Sequence, residues 1–226
     1  MDRIYKICKD NDILYIDDEI FTGLGRTGKM FAIEHNPKIE PDMMTLGKTL
    51  GGGMFPMSAV IMKREIAESV EPGASSSTLH GYPLGAAVAL RVVETIEQKN
   101  LCESNEKNGR YMLRRCQELQ EKHQWIGDVR GRGLMVALEF VKDRKTREPI
   151  RKEVRDISWR AVQKGLIFEW FGLKGNVIKL YPSYFVTRAQ IDEAIEILDQ
   201  SITDVEHGRI SSTDFDKSYV VSSGWM

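Results

Sequence analysis

Lys48 is the residue whose surroundings most favour chemistry. It follows the apolar run Met43–Leu46 and lies between Gly47 and the triplet Gly51–Gly53. A lysine at the end of a strand, next to glycines, projects into a space where backbone can approach a ligand closely. There it can lose its proton and form a Schiff base with an aldehyde. The competing interpretation is a solvated surface charge, which is the usual state of a lysine.

Asp18 lies in a comparable place, because the acidic triplet Asp17, Asp18 and Glu19 directly follows the apolar run Ile13–Ile16. In open α/β sheets, ligands bind at the carboxyl ends of strands. One interpretation is that the triplet caps the following turn. The other is that Asp18 is a buried carboxylate facing a pyridine nitrogen, which it keeps protonated. A protonated ring is the electron sink that stabilises the carbanion formed when a substrate Cα–H bond breaks.

Alternating helix and strand patterns predict α/β structure around these two residues. The first is the end of an amphipathic helix over Arg3–Lys9, followed by a strand at Ile13–Ile16 that is buried on both faces. Two more strands are predicted at Met43–Leu46 and Met57–Met62. A long helix then runs over Pro83–Gln98, with proline in its first turn.

The second half of the chain has a different pattern, with hairpin strands and covering helices, which predicts a small α+β domain. The predicted helices are Cys102–Lys122, Val154–Lys164 and Arg188–His207, and the predicted strands lie within Gly127–Val141, Leu166–Trp170 and Val177–Tyr181. We therefore expect a first domain over residues 1–98, a second over residues 99–207 and a polar tail over residues 208–226.

Composition excludes several classes of partner. With 42% hydrophobic and 29% charged residues and a net charge of -1, the chain lacks the basic footprint of a nucleic-acid or membrane-surface protein. Cys8, Cys102 and Cys116 lie far apart, without metal-ligand spacing, which fits reduced thiols and no bound metal. The apolar runs are too short to cross a bilayer, and the first residues lack the apolar core of a signal peptide. The expected location is the cytoplasm.

Two segments resemble one family closely. Residues 14–28 read LYIDDEIFTGLGRTG, and Pro41-Asp42 precedes residues 46–56, which read LGKTLGGGMFP. Both resemble the signature segments of the class III (ω-type, subgroup II) aminotransferases, which depend on pyridoxal 5'-phosphate (PLP). The similarity extends from Arg3 to about Val205. It implies the large domain of a fold-type I transferase, with a mostly parallel sheet, followed by the small domain. It also implies transfer of an amino group from an amine donor to a keto acid.

The resemblance assigns roles to four residues. Asp18 would pair with the pyridinium nitrogen, and Ile20 would pack against one face of the ring. Lys48 would form the Schiff base with PLP and then move a proton between the substrate Cα and the cofactor C4′ as general base and acid. Thr78 matches the family threonine that binds the cofactor phosphate across a dimer interface. Taken without the motif, Thr78 is a hydroxyl flanking a helix.

Two positions depart from the family pattern. Phe21 stands where many members have a glutamine near the phenolic oxygen of the cofactor, although apolar residues there are familiar in enzymes acting on ω-amines. Lys179 stands where the family has the arginine that clamps the substrate carboxylate. A lysine offers a point charge and no planar fork, so we expect recognition of an α-carboxylate to be weaker or to use another group.

The family chain is roughly twice as long as this one, which limits what the resemblance implies. The chain is expected to be a fragment, or to act with a chain that supplies the N-terminal half or with a full-length subunit, as a dimer or a higher oligomer. Two alternatives stay open. One is a PLP-dependent epimerase, mutase or decarboxylase, which would use Lys48 and Asp18 equally well. The other is a non-catalytic assembly module.

Overall fold

The computed structural model describes residues 1–74 and 76–209. Within them the chain forms two compact units, Met1–Lys107 and a second that begins at Asn108. The boundary lies inside a long helix, whereas the sequence places it at residue 98, and those domain bounds stay a prediction. Of the tail predicted over residues 208–226, all but the first two residues lie outside the described residues.

The first unit consists of short strands and helices. In chain order they are α1 (Asp2–Asp10), β1 (Ile16–Asp18), β2 (Met43–Leu46), β3 (Ala59–Met62), α2 (Arg64–Glu68), α3 (Pro83–Gln98) and the start of α4 (Leu101–Lys122), with 3-10 helices at Ala32–His35 and Lys48–Gly51. The bounds predicted for β2 and α3 are confirmed. Proline in the first turn of α3 costs no hydrogen bond, because the first N–H groups of a helix have no partner within it.

The sheet of the first unit is mixed, in the order β1-β2-β3. β1 runs parallel to β2, with Ile16 opposite Met43 and Asp18 opposite Thr45. β3 runs antiparallel to β2, with Leu46 opposite Ala59. Because β1 and β2 are parallel, their carboxyl ends lie at the same edge of the sheet.

Two predicted strands of this unit were placed wrongly. Ile13 and Leu14 precede β1 and are 53% and 54% exposed, so the expected burial on both faces is wrong. The reason is that β1 is an edge strand and that no residue of α1 is buried, so nothing in the described part of the chain covers these side chains. The third strand begins at Ala59 and not at Met57, because β2 ends at the partner of Ala59.

Asp42 ties the beginning of this sheet together. Its carboxylate accepts hydrogen bonds from Lys9 Nζ at 2.7 Å and from the backbone N–H of Tyr15 at 2.8 Å, and Lys63 Nζ lies 3.0 Å away. The hydrogen bonds from Lys9 and Tyr15, with the charge of Lys63, hold the pKa of Asp42 well below its usual range. One buried carboxylate thus joins α1, the approach to β1, and the end of β3.

The second unit is an antiparallel sheet with two further helices. Its elements are β4 (Ile126–Gly131), β5 (Val136–Phe140), α5 (Arg151–Gln163), β6 (Glu169–Phe171), β7 (Val177–Leu180) and α6 (Arg188–Glu206). The strand order is β4-β5-β7-β6. β6 starts later than the predicted Leu166, because β7 ends at Leu180 and pairs no further than Glu169 opposite Lys179. The small α+β arrangement is the one that the sequence predicts.

The core of the second unit is closed. Its largest fully buried side chains come from strands and helices alike and include Phe140, Ile126, Leu134, Leu138, Ile157, Ile178, Leu198 and Ile202. α6 begins with a capping box, in which the N–H of Gln190 donates to Thr187 Oγ1 and the N–H of Thr187 donates to Gln190 Oε1. Alternation along β5 and helical spacing along α6 place the apolar residues on one side of each element.

Candidate active site

The carboxyl ends of β1 and β2 carry the two residues singled out from the sequence. Asp18 is the last residue of β1 and lies opposite Thr45, three residues before Lys48. Neighbouring strands are separated by about 4.8 Å. The structure therefore brings Asp18 and Lys48 to one edge of the sheet, where parallel strands place the groups that bind ligands.

Asp18 is held by two hydrogen bonds to the same oxygen. Its Oδ1 accepts from the backbone N–H of Ile20 at 3.0 Å and from Thr45 Oγ1 at 3.1 Å. Within the described residues, Oδ2 has no such bond. The side chain is exposed, which corrects the prediction that it is buried. Asp18 points away from the interior because alternation along β1 gives the inward direction to Asp17.

Lys48 does not belong to the strand. It is the first residue of the 3-10 helix Lys48–Gly51, which follows β2 after Gly47. Its φ of 42° lies in the left-handed region, where a residue with a Cβ costs about 1–2 kcal/mol. The amine lies 5.6 Å from the centre of the Phe21 ring, and no carboxylate of the described chain pairs with it. A strained, exposed and unpaired lysine is consistent with a role in binding a ligand.

Ile20 lies against the backbone that precedes Lys48. A Cβ added to Gly47 would come within 3.2 Å of the Ile20 side chain, so glycine at this position permits the close contact. Ile20 and Phe21 thus form an apolar surface beside Lys48, while Asp18 lies two residues before Ile20. Of the predicted site residues, Asp18, Ile20, Phe21 and Lys48 therefore lie at this end of the sheet.

Glu19 is a buried residue that sequence reasoning treated only as a possible turn cap. It is 2% exposed; its Oε1 accepts from the N–H of Ile33 at 2.8 Å and its Oε2 from the hydroxyl of Thr22. Its backbone N–H donates to Thr45 O at 3.0 Å. Glu19 therefore fixes the turn after β1 to the 3-10 helix Ala32–His35 and to β2. Fourteen residues separate Glu19 from Ile33, so no local pattern could indicate this contact.

Asp17 is a second acid on the inner side of β1. Burial, the charge of Glu19 with a hydrogen bond to it, and the charge of Asp18 raise the pKa of Asp17 to about 6. Asp17 and Asp18 thus differ in environment although they are neighbours. Only Asp18 faces outward, which distinguishes it as the carboxylate that a bound molecule could reach.

The glycine-rich turn over residues 23–28 is held from α4. Asn105, which is fully buried, donates from Nδ2 to the carbonyl of Gly25 at 3.0 Å. Gly28 has a φ of 89°, and a Cβ there would lie 2.8 Å from the Cβ of Glu106. Glycine is required at this position both for the backbone conformation and for the approach of α4.

Thr78 and Lys179 lie in other parts of the fold. Thr78 is exposed in the turn that precedes α3. Lys179 belongs to the second unit, on β7, with its amine 4.0 Å from the centre of the Phe171 ring. It lines a groove of about 690 Å³ together with Tyr181, which donates a hydrogen bond to Glu169. A cation beside an aromatic ring and an apolar groove could contact a ligand with both charged and apolar parts.

The residues beside Lys48 fit PLP. The cofactor requires an amine that can attack its aldehyde and a carboxylate that can face its ring nitrogen. Lys48 supplies an amine without an ion-pair partner among residues 1–74 and 76–209, and Asp18 supplies an oxygen, Oδ2, that takes no hydrogen bond there. Ile20 and Phe21 together supply an apolar surface beside Lys48.

The comparisons with known proteins agree on one family. Its model, class-III aminotransferase, matches residues 1–202. The chain is 41% identical over 223 residues to a leucine/methionine racemase of Thermococcus litoralis, covering 99% of this chain and 48% of the relative. It is 37% identical over 202 residues to an acetylornithine aminotransferase of Caldanaerobacter subterraneus, covering 89% of this chain and 48% of the relative.

A solved structure extends this agreement to the fold. A Bacillus anthracis aminotransferase superimposes with a TM-score of 0.84 at 31% identity, covering 90% of this chain and 47% of that one, which confirms the predicted fold class. The chain spans about half the length of the relatives it matches. No helix in the described residues is long and apolar enough to span a membrane. The chain belongs to the class-III aminotransferases, a family of PLP-dependent enzymes.

Proposed function

We propose that this chain carries the cofactor lysine of a PLP-dependent aminotransferase, which transfers an amino group from an amine or amino acid to a keto acid. The observation that supports the proposal most directly is the position of Asp18 and Lys48 at the adjoining carboxyl ends of β1 and β2. PLP-dependent transamination needs an amine for the aldehyde of the cofactor and a carboxylate for its ring nitrogen, close enough to reach one bound molecule.

PLP, when bound, supplies an aldehyde for the amine and a ring that accepts electrons from the Cα–H bond. Lys48 Nζ would hold the cofactor through its aldehyde carbon, and once the substrate amine has taken its place there, the released Lys48 amine would move a proton between the substrate Cα and the cofactor C4′. Asp18 Oδ2 accepts the hydrogen bond of the ring N–H and keeps that proton in place. Ile20 packs against the ring, and Phe21 lies beside the lysine amine.

Two assignments complete the proposed site. Thr78 binds the cofactor phosphate of a neighbouring subunit, which its exposure permits. Lys179 contacts the carboxylate of the substrate as a point charge. The amine donor and keto acid are proposed as a class only, because the structure contains no group that selects between them.

A partner chain is also part of the proposal. β1 has an unpaired edge, and α1 carries Ile4 and Ile7 at 62% and 58% exposure. Apolar side chains on an open edge strand and an adjacent helix associate readily. We propose that the family's N-terminal half, as a segment of a longer chain or as a separate chain, covers this surface in a dimer or a higher oligomer.

Racemisation or epimerisation is the second candidate, favoured by the 41% identity to a leucine/methionine racemase. Lys48 and Asp18 would serve it without change. A single turnover with an amino acid separates the two. Transamination yields one keto acid for each cofactor, whereas racemisation yields the enantiomer and no keto acid.

Borohydride reduction tests the central assignment. The chain, together with the partner proposed above, is incubated with PLP, reduced, digested and mapped, and we expect the pyridoxyl group on Lys48. Lys48→Gln should abolish the labelled peptide. Lys38→Gln, at an exposed lysine of the same unit, is the matched control and should leave it unchanged. Label on another lysine of the unsubstituted chain would show that the assignment is wrong.

A further inference from the structure

Thr45 on β2 donates a side-chain hydrogen bond to Asp18 on β1. It lies opposite Asp18 in the parallel ladder, and its Oγ1 donates to Asp18 Oδ1 at 3.1 Å. Its carbonyl accepts the N–H of Glu19 at 3.0 Å. Thr45 is therefore held by Glu19 through its carbonyl and by Asp18 through its side chain.

This contact determines how Asp18 presents its charge. Two donors, Thr45 Oγ1 and the N–H of Ile20, converge on Oδ1. A carboxylate with one oxygen held by two donors has a fixed plane and leaves the other oxygen for an incoming donor. Without the hydroxyl of Thr45, only the N–H of Ile20 would remain, and the carboxylate could turn about its terminal bond.

We propose that Thr45 is a positioning residue for Asp18, which it holds so that Oδ2 faces the ring nitrogen of the cofactor. The proposal rests on the proposed function, because it assigns the pyridine nitrogen as the group that Asp18 meets. Thr45 acts through Asp18 and need not touch the cofactor. Thr45 lies on β2 three residues before Lys48, so the residue that orients Asp18 belongs to the segment that leads to Lys48.

The test compares two cofactors in matched variants of the full chain. Dissociation constants are measured by absorbance for PLP and for its 1-deaza analogue, in which carbon replaces the ring nitrogen. Thr45→Val removes the hydroxyl at nearly constant volume, and Thr45→Ser keeps it. Thr95→Val, which removes a hydroxyl bonded to a helix carbonyl in α3, is the control.

We expect Thr45→Val to weaken PLP binding roughly tenfold, as for one hydrogen bond to a charged group, with little change for the deaza analogue. Thr45→Ser should restore binding to within about twofold, and Thr95→Val should leave it unchanged. Equal losses for both cofactors would overturn the proposal, since they indicate general damage to the fold. Unchanged PLP binding in Thr45→Val would overturn it as well.

Failure of the proposed function gives a different result. If Lys48 carries no pyridoxyl label after reduction although the proposed partner is present, the proposed function is wrong, and the role of Thr45 with it. If Lys48 is labelled and Thr45→Val binds both cofactors like the unsubstituted chain, only the role of Thr45 is wrong.

Discussion

The two units differ in how completely they bury their apolar residues. In the second unit, strands and helices enclose side chains such as Leu198 and Ile178, which are fully buried. In the first unit, Ile16 on β1 and Ile61 on β3 are 56% and 50% exposed. The first unit also holds the strained Lys48 and two buried acids, Asp17 on β1 and Glu19 directly after it. The unit that contains Asp18 and Lys48 is thus the one with more exposed apolar side chains on its sheet.

The difference in burial predicts that the two units are stabilised by different interactions. A closed core supplies free energy by burying apolar area, at roughly 25 cal/mol for each Å². A sheet with exposed apolar side chains gains less free energy from burial. In the first unit, the ion pairs and hydrogen bonds of Asp42 and the hydrogen bonds of Glu19 hold the strands in register. Substitutions should therefore act on the second unit through packing and on the first through polar contacts.

The largest expected difference is between Leu198→Ala in the second unit and Ile61→Ala in the first. Leu198 is fully buried, so its truncation should cost about 3 kcal/mol, whereas Ile61→Ala should cost less than about 1 kcal/mol. Urea unfolding followed by tryptophan fluorescence reports the second unit, because none of the tryptophans precedes residue 125. Hydrogen exchange reports the first. Equal costs would show that the face with Ile61 is covered.

Asp42→Asn should have the next largest effect. Loss of the buried carboxylate removes the ion-pair partner of Lys9 and leaves Lys63 only the exposed Glu40, 3.7 Å away, and should cost about 2 kcal/mol. Because the folded pKa of Asp42 is lowered, this stability is present above the unfolded pKa of about 4 and is lost as the pH falls below it. Hydrogen exchange of the β1–β3 amides at pH 3 and pH 7 measures it. A protection unchanged between the two would contradict the role of Asp42.

Asp17→Asn should stabilise the first unit, whereas Asp42→Asn should destabilise it. Burial beside Glu19 raises the folded pKa of Asp17 to about 6, so the folded state loses stability as the pH rises from about 4 through that value. At pH 8 the neutral asparagine should stabilise the first unit, by about 1–2 kcal/mol. Asp18→Asn, at the exposed neighbour, is the matched control and should show no such gain. A loss of protection in Asp17→Asn would refute this account.

The smallest expected effect concerns Lys48 itself. Because the φ of Lys48 is 42°, Lys48→Gly should have a free energy of unfolding about 1 kcal/mol higher than Lys48→Ala. Lys63, whose φ is -60°, is the control: Lys63→Gly should be no more stable to unfolding than Lys63→Ala. Hydrogen exchange on both pairs of variants would measure the difference. A gain from glycine at both positions would show that the strain at Lys48 has no part in it.

The sequence predicts elements well where the pattern is local. The bounds of β2 and α3 follow from an apolar run after Pro41-Asp42 and from proline at a helix start. The sequence also indicates Asp18 and Lys48, because strand ends and glycines mark them. Their neighbours in space, Ile20 and Phe21, follow from the family resemblance.

Contacts between distant residues could not be predicted in this way. Thr45 and Asp18 are 27 residues apart, and Lys9 and Asp42 are 33 apart, so no spacing connects them. The apolar run Ile13–Ile16 indicates a buried strand, but burial depends on what covers it. The conformation of Lys48 depends on the turn into the 3-10 helix, for which the glycines give only a general indication.

The central claim is that Asp18 and Lys48 act as a pair on one bound cofactor. The most direct measurement is the rate at which the Cα proton of alanine exchanges with solvent deuterium in the presence of the chain and PLP, compared with Asp18→Asn. We expect this variant to keep the pyridoxyl label on Lys48 after reduction but to exchange the Cα proton on the order of a hundredfold more slowly, because a neutral amide no longer holds the ring nitrogen protonated. An exchange rate close to that of the unsubstituted chain, with Lys48 still labelled, would contradict the claim.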